Sequence, residues 1–489
     1  MLTQPRLVIA ATRSGDGKTT VATGLMAALA ARGLRVSGHK AGPDYIDPSY
    51  HAAATGSPGR NLDVWLTGED LIAPLFLHGA RGSDVSVIEG VMGLFDGVAG
   101  RGDLASTAHV ARLLDAPIVL VVGAAGTARS IAATVHGFAT FDPHVQVAGV
   151  VLNQVASPRH ESIAREAIAS TGIPVLGALP TEATLHTPSR HLGLVPAAER
   201  AEHVSDWLPR LRELIARHLD LDRLLAIARG APALTGPAWS PGTASQAAGP
   251  GWSPGTAVGS RPSRPVGAAG SPGPAPRIAV AAGRAFTFGY AEHRELLEAA
   301  GAEVLEFDPM AVERLPAGTD ALIVGGGFPE VYVDKLAANA GLRTQIRERA
   351  ATGMPVVAEC AGLLWLGSDL DGREQCGVLP TTARMTDRLT LGYREAVALS
   401  SGPLVAAGTV VRAHEFHRTV SEPAAGTSPA WRLSEGSREG WATPRLLASY
   451  LHLHWAGIPG AAARLVATAQ AARNARNAQA ARAARKARI

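Results

Sequence analysis

Residues 6–20 read RLVIAATRSGDGKTT: an apolar run, a glycine-containing loop and the start of a helical pattern. The common phosphate-loop pattern is G-x-x-x-x-G-K-[ST], and Thr12 takes its first glycine position here. The remaining glycines let backbone N–H groups face phosphates, the lysine reaches their oxygens, and the hydroxyl after it can hold Mg²⁺. The residues expected to contact a nucleotide are Gly15, Gly17, Lys18, Thr19 and Thr20.

Apolar runs alternate with helical patterns through the first 230 residues, which is typical of a doubly wound α/β sheet. The predicted buried strands are 6–11, 86–90, 116–122 and 147–153, and the predicted helices are 21–33 and 106–115. The last third of the chain repeats the pattern and predicts a second α/β domain. Its predicted strands are 277–283, 302–307, 321–327 and 355–360, its predicted helix is 293–301, and LLASYLHLHW closes it at 446–455.

The amino-acid composition distinguishes a linker and a C-terminal tail from the two predicted domains. Residues 231–276 contain ten prolines, no acidic residue and two copies of WSPGTA, which favours a flexible linker stiffened by proline. Residues 471–489 hold six basic residues and no acidic one, so the rest of the chain carries 40 basic against 42 acidic residues. The net charge of +4 therefore belongs to this Ala/Arg tail, which we expect to be a solvated extension. The predicted domains are 1–230 and 277–470, separated by the linker and followed by the tail.

Length and composition limit the class of protein. A chain of 489 residues is expected to form two or three domains. No run of about 18 apolar residues occurs, and the start enters a strand without the charged and apolar segments of a signal peptide. Two cysteines cannot build a disulfide framework, so the expected compartment is the cytoplasm.

Three acidic residues, Asp44, Glu89 and Asp96, lie in glycine- and proline-rich segments near predicted strand ends. The carboxyl ends of parallel strands meet beside the phosphate loop, where a carboxylate can bind the Mg²⁺ of a nucleotide. A solvated cap or turn residue is the ordinary alternative for any one of them. Together they predict a metal site formed by Thr19, Asp44 and Glu89.

Residues 355–366, PVVAECAGLLWL, place Cys360 between a predicted strand and a predicted helix. A buried apolar cysteine is one interpretation. A thiol on a tight turn at a helix N-terminus is the other, because the helix field and nearby donors would lower its pKa and the Ala361 N–H would face an oxyanion. A base is available in the closing strand, where His452 and His454 would share one face. Spacing alone leaves both interpretations open.

Eight motifs, in this order, closely resemble those of the cobyrinate and hydrogenobyrinate a,c-diamide synthases. They are ATRSGDGKTT (11–20), KAGPDYIDP (40–48), NLDVWL (61–66), IEGVMGLFDG (88–97), GGGFPE (325–330), AECAGL (358–363), HEFHR (414–418) and SYLHLHW (449–455). The resemblance covers nearly everything except the linker and the tail. Eight ordered motifs over two domains are far more specific than either loop alone.

The resemblance implies an ATP- and glutamine-dependent carbon–nitrogen ligase of cobalamin biosynthesis. Its first domain would be an ATP-binding amide synthetase with the dethiobiotin-synthetase type of phosphate-loop fold. Its second would be a class I glutamine amidotransferase in which the Cys-His-acid triad is reduced to a Cys-His pair. Ammonia from glutamine would amidate the a and c acetate carboxylates of cobyrinic or hydrogenobyrinic acid after their activation as acyl phosphates.

The resemblance also implies roles for individual residues. Cys360 would attack glutamine, and His452 would activate the thiol, with His454 as the runner-up. No acidic residue follows the histidine as in the His-Pro-Glu of the wider class, so a third triad member is not assigned. The other implied roles are an acetate contact for Asp96, a histidine partner or substrate contact for Glu415, an adenine contact for Asn153 and an oxyanion donor from GGGFPE.

The expected cofactors are ATP and Mg²⁺, and the expected partners are a corrin-type tetrapyrrole polycarboxylate and glutamine. Neither nucleic acid nor a membrane is expected, and a homodimer is an open expectation. Two alternatives remain. A nickel-sirohydrochlorin a,c-diamide synthase uses similar motifs, whereas a partition-type nucleotide-switch ATPase has a similar phosphate loop, often with lysine where Arg13 stands, and needs no Cys-His domain.

Overall fold

The computed structural model describes residues 4–181, 189–190, 193–244 and 274–486. The predicted doubly wound domain is built on a seven-stranded parallel sheet with strand order β3-β2-β4-β1-β5-β6-β7. These strands are β1 Arg6–Ala11, β2 Val36–Ala41, β3 Arg60–Leu62, β4 Val85–Glu89, β5 Ile118–Gly123, β6 Val147–Val155 and β7 Val175–Pro180. Every residue of the central strand β1 is buried, which explains its continuous apolar run.

Helices cover both faces of this sheet, as a doubly wound fold requires. The helices of this part of the chain are α1 Lys18–Ala31, α2 Asp47–Thr55, α3 Val64–Thr67, α4 Ile72–Gly79, α5 Thr107–Leu113, α6 Ser130–Thr140, α7 Pro158–Ala169, α8 Ala201–His218, α9 Leu221–Arg229 and α10 Pro241–Ala244. Two short strands, β8 Ser189–Arg190 and β9 Gly193–Leu194, pair with each other. No helix within the described ranges is long and apolar enough to cross a membrane.

The second domain combines two sheets. A six-stranded sheet has the order β11-β10-β12-β13-β21-β20 and is parallel except for β20, and a second, mixed sheet contains β15-β14-β16-β17-β22. The strands are β10 Arg277–Ala281, β11 Glu303–Phe307, β12 Ala321–Val324, β13 Val356–Glu359, β14 Asp369–Leu370, β15 Arg373–Glu374, β16 Thr382–Ala398, β17 Val410–Glu422, β18 Trp431–Leu433, β19 Arg438–Glu439, β20 Trp441–Thr443, β21 Leu446–Ser449 and β22 His452–Leu453. The helices are α11 Ala291–Ala299, α12 Val333–Ala338, α13 Ala340–Ala351, α14 Ala361–Leu366 and α15 Ala461–Lys486.

The closing segment LLASYLHLHW differs from the single strand that its sequence predicted. Its first part, β21, runs parallel to β13 in the six-stranded sheet. Its second part, β22, pairs with β17 in the other sheet, and His454 lies beyond the end of that strand. The break at Tyr450 and Leu451 lets one short segment contribute to both sheets, so strand alternation does not relate the two histidines.

The predicted linker begins as a packed segment and not as a flexible one. Trp239 is buried, its backbone N–H donates to the Pro74 oxygen at 2.8 Å, and its ring meets His78 edge-on with centroids 5.0 Å apart. Pro232 accepts a 2.7 Å hydrogen bond from Arg6. Aromatic burial outweighs the proline-rich composition here. The second WSPGTA copy, at 252–257, lies outside the described residues.

The Ala/Arg tail continues helix α15, and its described residues are exposed except Ala472 and Arg473, which agrees with the expectation of a solvated extension. Arg473 is 9% exposed and donates to the Ala275 oxygen at 2.8 Å. Arg473 and Arg476 both pair with the buried Asp320, at 3.7 and 2.5 Å. These basic residues attach the helix to the second domain.

Buried polar contacts join the two domains. Arg60 of β3 donates to Glu292 at 2.6 Å and to Glu295 at 2.5 Å, both on α11. The Tyr393 hydroxyl donates to the buried Asp63 carboxylate at 2.8 Å. The edge strand β3 and the turn after it therefore lie against the second domain.

Candidate active sites

The phosphate loop joins β1 to α1, and its conformation depends on glycine. Gly17 has φ +95°, and a Cβ built on it would lie 2.2 Å from the Asn153 amide nitrogen. That amide donates to the Asp16 oxygen at 2.8 Å. The structure thus places Asn153, at the end of β6, directly on the loop and gives its amide nitrogen a role in holding the loop. The proposed contact with adenine stays a prediction.

Thr19 lies at the centre of a group of charged side chains behind the loop. Its hydroxyl donates to Glu89 Oε1 at 2.5 Å and lies 3.5 Å from Asp47 Oδ2. Lys40 Nζ lies 2.6 Å from Asp47 Oδ2 and 3.0 Å from Glu89 Oε1. His51 completes the group, because its Nε2 lies 2.7 Å from the second oxygen of Glu89. The three oxygen-bearing side chains Thr19, Asp47 and Glu89 thus converge on one place.

The ionisation of this group follows from burial and from Lys40. Burial acts to raise the pKa of Glu89, but the charge of Lys40 and the His51 hydrogen bond outweigh it and hold that pKa well below its usual range. Burial and the nearby carboxylates of Asp44 and Glu89 raise the pKa of Asp47. Burial acts to lower the pKa of Lys40, yet its carboxylate neighbours raise it above the usual value. Lys40 thus stays charged and balances the carboxylates.

Lys18 extends the same positive field. It is 8% exposed, and burial followed by repulsion from Lys40 lowers its pKa. Two lysines beside the loop suit a polyanionic ligand, because incoming phosphate charge relieves their mutual repulsion.

Asp44 and Asp96 lie near this group but are engaged with backbone. Asp44 Oδ1 accepts from the N–H groups of Ile46 at 2.7 Å and Asp47 at 3.0 Å, so Asp44 caps the turn that leads into α2. Asp96 Oδ2 accepts from the Gly93 N–H at 2.8 Å in the loop that follows β4. The structure thus brings Glu89 to Thr19 as predicted, whereas Asp47 occupies the position that the sequence prediction gave to Asp44.

The second candidate site is the turn between β13 and α14. Cys360 has φ +48° and ψ −101°, a left-handed conformation that a side chain rarely adopts. Its N–H donates to the Ser449 oxygen of β21 at 2.7 Å, and its Sγ lies 3.7 Å from the Phe416 oxygen of β17. Such a strained turn at the end of a parallel strand presents a side chain for reaction.

The expected low pKa of this thiol is wrong for the structure described here. Burial, followed by the charge of Glu330, raises the pKa of Cys360, and the nearby Ala361 N–H only partly offsets the rise. The side chain is 3% exposed and α14 is a single short helix of six residues, so desolvation outweighs the helix field. A thiolate therefore forms only with a base to take its proton.

His452 lies beside the GGGFPE loop that also touches the cysteine turn. A Cβ on Gly326 would come within 2.5 Å of the His452 ring, and the Gly362 N–H donates to the Gly325 oxygen at 3.1 Å. His452 is 1% exposed, and burial, followed by the field of His414 and His417, lowers its pKa to about 3. The ring is therefore neutral and able to accept a proton. Its Nε2 has no hydrogen-bond partner among the described residues.

His454 occupies a different environment. Its ring centroid lies 4.3 Å from that of Tyr290 and 5.9 Å from that of His293, and its Nε2 lies 3.7 Å from Glu292. His452, in contrast, lies against the GGGFPE loop that touches the cysteine turn, so the geometry favours His452 over His454 as the base.

Glu415 is held by residues other than His452. Its oxygens lie 3.0 Å from His417 Nε2 and 2.7 Å from Arg394 Nε. Its charge nevertheless acts on Cys360, so it lies close to the thiol. Of the two roles considered for Glu415, a contact near the glutamine site remains the better supported.

Sequence reasoning missed several residues of the first site. Lys40 is the penultimate residue of β2 and Asp47 begins α2, both within the same KAGPDYIDP motif that supplied Asp44. The sequence signal that could have found Lys40 and Asp47 was their position, because both lie near the ends of elements on the carboxyl side of the sheet. His51 gave no such signal, because its contact with Glu89 depends on how α2 packs.

Two family models match the chain, one for each domain. Residues 7–195 match the CobQ/CobB/MinD/ParA nucleotide binding domain, and residues 277–459 match the CobB/CobQ-like glutamine amidotransferase domain. A hydrogenobyrinate a,c-diamide synthase of Streptomyces coelicolor is 58% identical over 94% of this chain and 97% of its own. The chain belongs to the cobyrinate and hydrogenobyrinate a,c-diamide synthase family.

Other members of the a,c-diamide synthase family also align with this chain over nearly the full length of both proteins. A hydrogenobyrinate a,c-diamide synthase of Thermobifida fusca is 52% identical over 96% of this chain and 98% of its own. A cobyrinate a,c-diamide synthase of Gloeobacter violaceus is 43% identical over 94% of this chain and 96% of its own. Both candidate sites therefore lie in regions that the chain shares with the family. The predicted two-domain α/β fold and the predicted family are confirmed.

Proposed function

We propose that the chain is an ATP- and glutamine-dependent ligase that amidates the a and c acetate carboxylates of a corrin-type tetrapyrrole. One observation carries the proposal: a phosphate loop with Thr19 at 2.5 Å from Glu89 and a strained cysteine turn at Cys360 occur in one chain. The relatives named a,c-diamide synthase align over 93–96% of that chain. The amidotransferase match over 277–459 argues against a partition-type ATPase.

The metal-free substrate has the better support. Relatives named for hydrogenobyrinate are 49–58% identical to this chain, and those named for cobyrinate are 42–43% identical. We therefore propose hydrogenobyrinic acid, whose ring carries no cobalt, as the preferred acceptor. Cobyrinic acid is the alternative, and nickel-sirohydrochlorin is less favoured.

Glutamine is hydrolysed at the cysteine turn in this proposal. As Cys360 Sγ bonds to the side-chain carbonyl carbon of glutamine, His452 takes the thiol proton, and the Ala361 N–H donates to the oxyanion. His452 then returns the proton to the departing nitrogen, the C–N bond breaks and ammonia leaves. Water hydrolyses the glutamyl thioester, which releases glutamate and restores the thiol.

The phosphate-loop site prepares the acceptor. A carboxylate is a poor acyl donor, because its charge repels nucleophiles and oxide is a bad leaving group. Transfer of the γ-phosphoryl group of ATP gives an acyl phosphate, which ammonia attacks with loss of phosphate. Lys18 neutralises phosphate charge during this transfer, and Lys40 holds the carboxylates of Asp47 and Glu89 in place.

The oxygen donors of this site fit Mg²⁺, which prefers hydroxyl and carboxylate oxygens. Thr19, Asp47 and Glu89 would hold it, with Asp44 capping the turn that orients Asp47. A bound Mg²⁺ would neutralise charge on the transferring phosphoryl group. Asp96, in the loop that follows β4, is proposed to contact the acetate.

We propose the same organisation that the composition predicts, with a synthetase domain at 1–230, a linker at 231–276, a glutaminase domain at 277–470 and a tail at 471–489. Pro232 and Trp239 pack on the first domain and α10 lies against α11 of the second, so residues 231–244 contact both domains. A cytoplasmic location and a homodimer remain proposals.

Amidation assays with glutamine and with ammonium as alternative nitrogen sources test the proposed function. Purified protein should convert hydrogenobyrinic acid, ATP and glutamine to a product with two added amides, counted by mass spectrometry. Cys360→Ser should lose glutamine use but keep amidation with a high ammonium concentration, whereas Lys18→Ala should give no product from either source. Cys376→Ser alters the other buried cysteine and is the matched control, expected to keep both activities. Product from glutamine with Cys360→Ser would contradict the assignment.

A further inference from the structure

Tyr45 belongs to the first domain but forms part of the surroundings of the glutaminase histidine. It is 7% exposed. Its ring centroid lies 5.0 Å from that of His452, and it stacks on Phe288 at 5.1 Å with an interplanar angle of 12°. It also lies 4.8 Å from the Tyr290 ring. A side chain of the synthetase domain is thus in direct contact with the proposed base of the glutaminase domain.

The backbone that carries Tyr45 is fixed by the phosphate-loop site. Asp44, immediately before it, caps the turn by accepting from the N–H groups of Ile46 and Asp47. Asp47, two residues after it, lies 2.6 Å from Lys40 and 3.5 Å from the Thr19 hydroxyl. Because the turn is short and hydrogen-bonded, a change in the position of Asp47 must also move Tyr45.

Packing on several sides surrounds the His452 ring. Its Nε2 has no hydrogen-bond partner among the described residues. Gly326 approaches the ring so closely that a Cβ there would be 2.5 Å away, while Tyr45 and Phe288 contact the ring as aromatic neighbours. A ring held in this way shifts when one of its packing neighbours shifts.

Tyr50 shows that these contacts of Tyr45 are specific to its position. Tyr50 lies on α2, just beyond the same turn, and is 1% exposed. Its hydroxyl donates to the Val195 oxygen at 2.6 Å and its ring meets Trp207 edge-on, so it packs within the first domain. The aromatic contacts of Tyr45 are instead all with residues of the second domain.

We propose that Tyr45 is a positioning residue that holds the His452 ring for catalysis and links its position to the occupancy of the phosphate-loop site. The inference rests on the proposed function. Binding of nucleotide and cation reorganises the carboxylates around Thr19 and Lys40, the 44–47 turn transmits the change, and Tyr45 sets the ring. Glutamine is thereby hydrolysed fastest when the acceptor can be activated, which avoids wasteful release of ammonia.

Glutaminase assays with and without nucleotide test this link. The full-length protein should hydrolyse glutamine faster with ATP, Mg²⁺ and hydrogenobyrinic acid than with glutamine alone. Tyr45→Ala should lower glutaminase kcat by about 10–100-fold, the effect of a base displaced by about 1 Å, and should remove the response to nucleotide. Amidation from ammonium should stay within about threefold of wild type, since nothing in that reaction needs His452.

Two further variants distinguish a displaced His452 ring from general damage to the fold. Tyr45→Phe keeps the ring and should restore both the rate and the response, and Tyr50→Phe, which loses its own hydrogen bond within the first domain, should change neither. A wild type that hydrolyses glutamine equally with and without nucleotide would overturn the link, as would Tyr45→Ala with a normal response. Loss of ammonium-dependent amidation in Tyr45→Ala would also overturn it, by showing general damage. If wild type hydrolyses no glutamine at all, the proposed function itself fails.

Discussion

The hydroxyl of Thr19 donates a 2.5 Å hydrogen bond to the carboxylate of Glu89, seventy residues further along the chain. The contact exists because β1 and β4 are adjacent parallel strands, with Ile9 in register with Glu89. The phosphate loop leaves one strand and the carboxylate ends the other, so both reach the same edge of the sheet. Glu89 is fully buried there, Lys40 balances its charge, and His51 Nε2 lies 2.7 Å from its second oxygen.

Glu89→Gln should abolish the use of ATP while sparing the cysteine turn. The amide keeps the shape of the side chain but removes the charge that Lys40 balances and that a cation needs. We expect at least about 100-fold slower amidation from either glutamine or ammonium, by comparison with removal of other electrostatic groups at active sites. Initial rates measured by mass spectrometry over a series of Mg²⁺ concentrations check this.

A surface carboxylate supplies the control for Glu89. Glu161 on α7 pairs with Arg165 at 2.7 Å, and both side chains are at least one-third exposed. Glu161→Gln should leave the amidation rate unchanged, because exposed pairs contribute little. If Glu89→Gln amidates at the rate of Glu161→Gln, Glu89 has no role in the metal site.

The parts of this site that sequence could predict were those with a local signal. The apolar run 6–11 and the loop after it gave β1, the phosphate loop and α1, and the run before Glu89 placed that residue at a strand end. Choosing between Asp44 and Asp47 required knowledge of the turn. Both are loop acids in sequence, and only the fold shows that Asp44 binds backbone N–H groups while Asp47 faces Lys40.

His452→Ala and His454→Ala should distinguish the two candidate bases. We expect His452→Ala to lower the glutaminase rate by about 100-fold or more, the usual contribution of a general base. His454→Ala should keep most of that rate, because its ring contacts Tyr290 and His293 at the domain contact. Ammonia release from glutamine and ammonium-dependent amidation are measured side by side. Equal losses in both variants would contradict the assignment of His452.

The pH dependence of glutamine hydrolysis follows from the same burial. The pKa of His452 is lowered to about 3, so the ring stays neutral, and the rate should not fall between pH 7 and 5.5 through its protonation. Burial raises the pKa of Cys360, so the rate should instead increase as the pH rises from 7 to 9. A profile of kcat/KM for glutamine checks both. A rate that halves near pH 6.5 would show a solvated histidine.

Sequence could not predict these electrostatic properties, because burial is not a local feature. The strand, turn and helix around Cys360 were predicted from PVVAECAGLLWL, and the turn is present with φ +48°. The expectation of a low pKa for Cys360 assumed the field of a helix that is longer and more exposed than α14. The apolar pattern of LLASYLHLHW is continuous and therefore predicts a single strand. In the structure β21 and β22 pair with strands of two different sheets, and such long-range pairing leaves no signal in the local sequence.

Arg60→Ala should weaken transfer of ammonia between the domains. Arg60 is 9% exposed and pairs with Glu292 and Glu295, so its loss leaves a buried carboxylate unpaired at the domain contact. We expect the variant to form fewer amides per glutamine consumed, by about twofold or more, because breaking a buried pair costs about 3–5 kcal/mol. Ammonium-dependent amidation should be retained.

Arg294 is the matched control for Arg60. It lies on the same helix as Glu292 and pairs with Glu298 at 2.9 Å, but about half of its side chain is exposed. Arg294→Ala should leave the ratio of amide formed to glutamate released unchanged. A normal ratio in Arg60→Ala would show that the domain contact does not depend on this cluster.

His39→Gln should make the protein more resistant to acid. His39 is fully buried, and burial, followed by the charges of Arg60 and His51, lowers its pKa to about 3, against 6.5 for an ordinary histidine. The unfolded chain therefore binds a proton that the folded chain does not bind between pH 6.5 and 3, so stability is lost as the pH falls through this window. At pH 5 the loss from His39 alone is about 2 kcal/mol.

The glutamine amide can replace the ring nitrogen that lies 3.3 Å from Ser37 Oγ, but it does not titrate. Melting temperatures measured from pH 7.5 to 5 should therefore fall less steeply in His39→Gln than in wild type, whatever the difference at pH 7.5. His144→Gln, at an exposed histidine, should leave the slope unchanged. The wild-type slope should itself be steep, because burial also lowers the pKa of other histidines. These are His109, His293, His414, His452 and His454. An equal slope in wild type and His39→Gln would show that His39 is solvated in the folded protein.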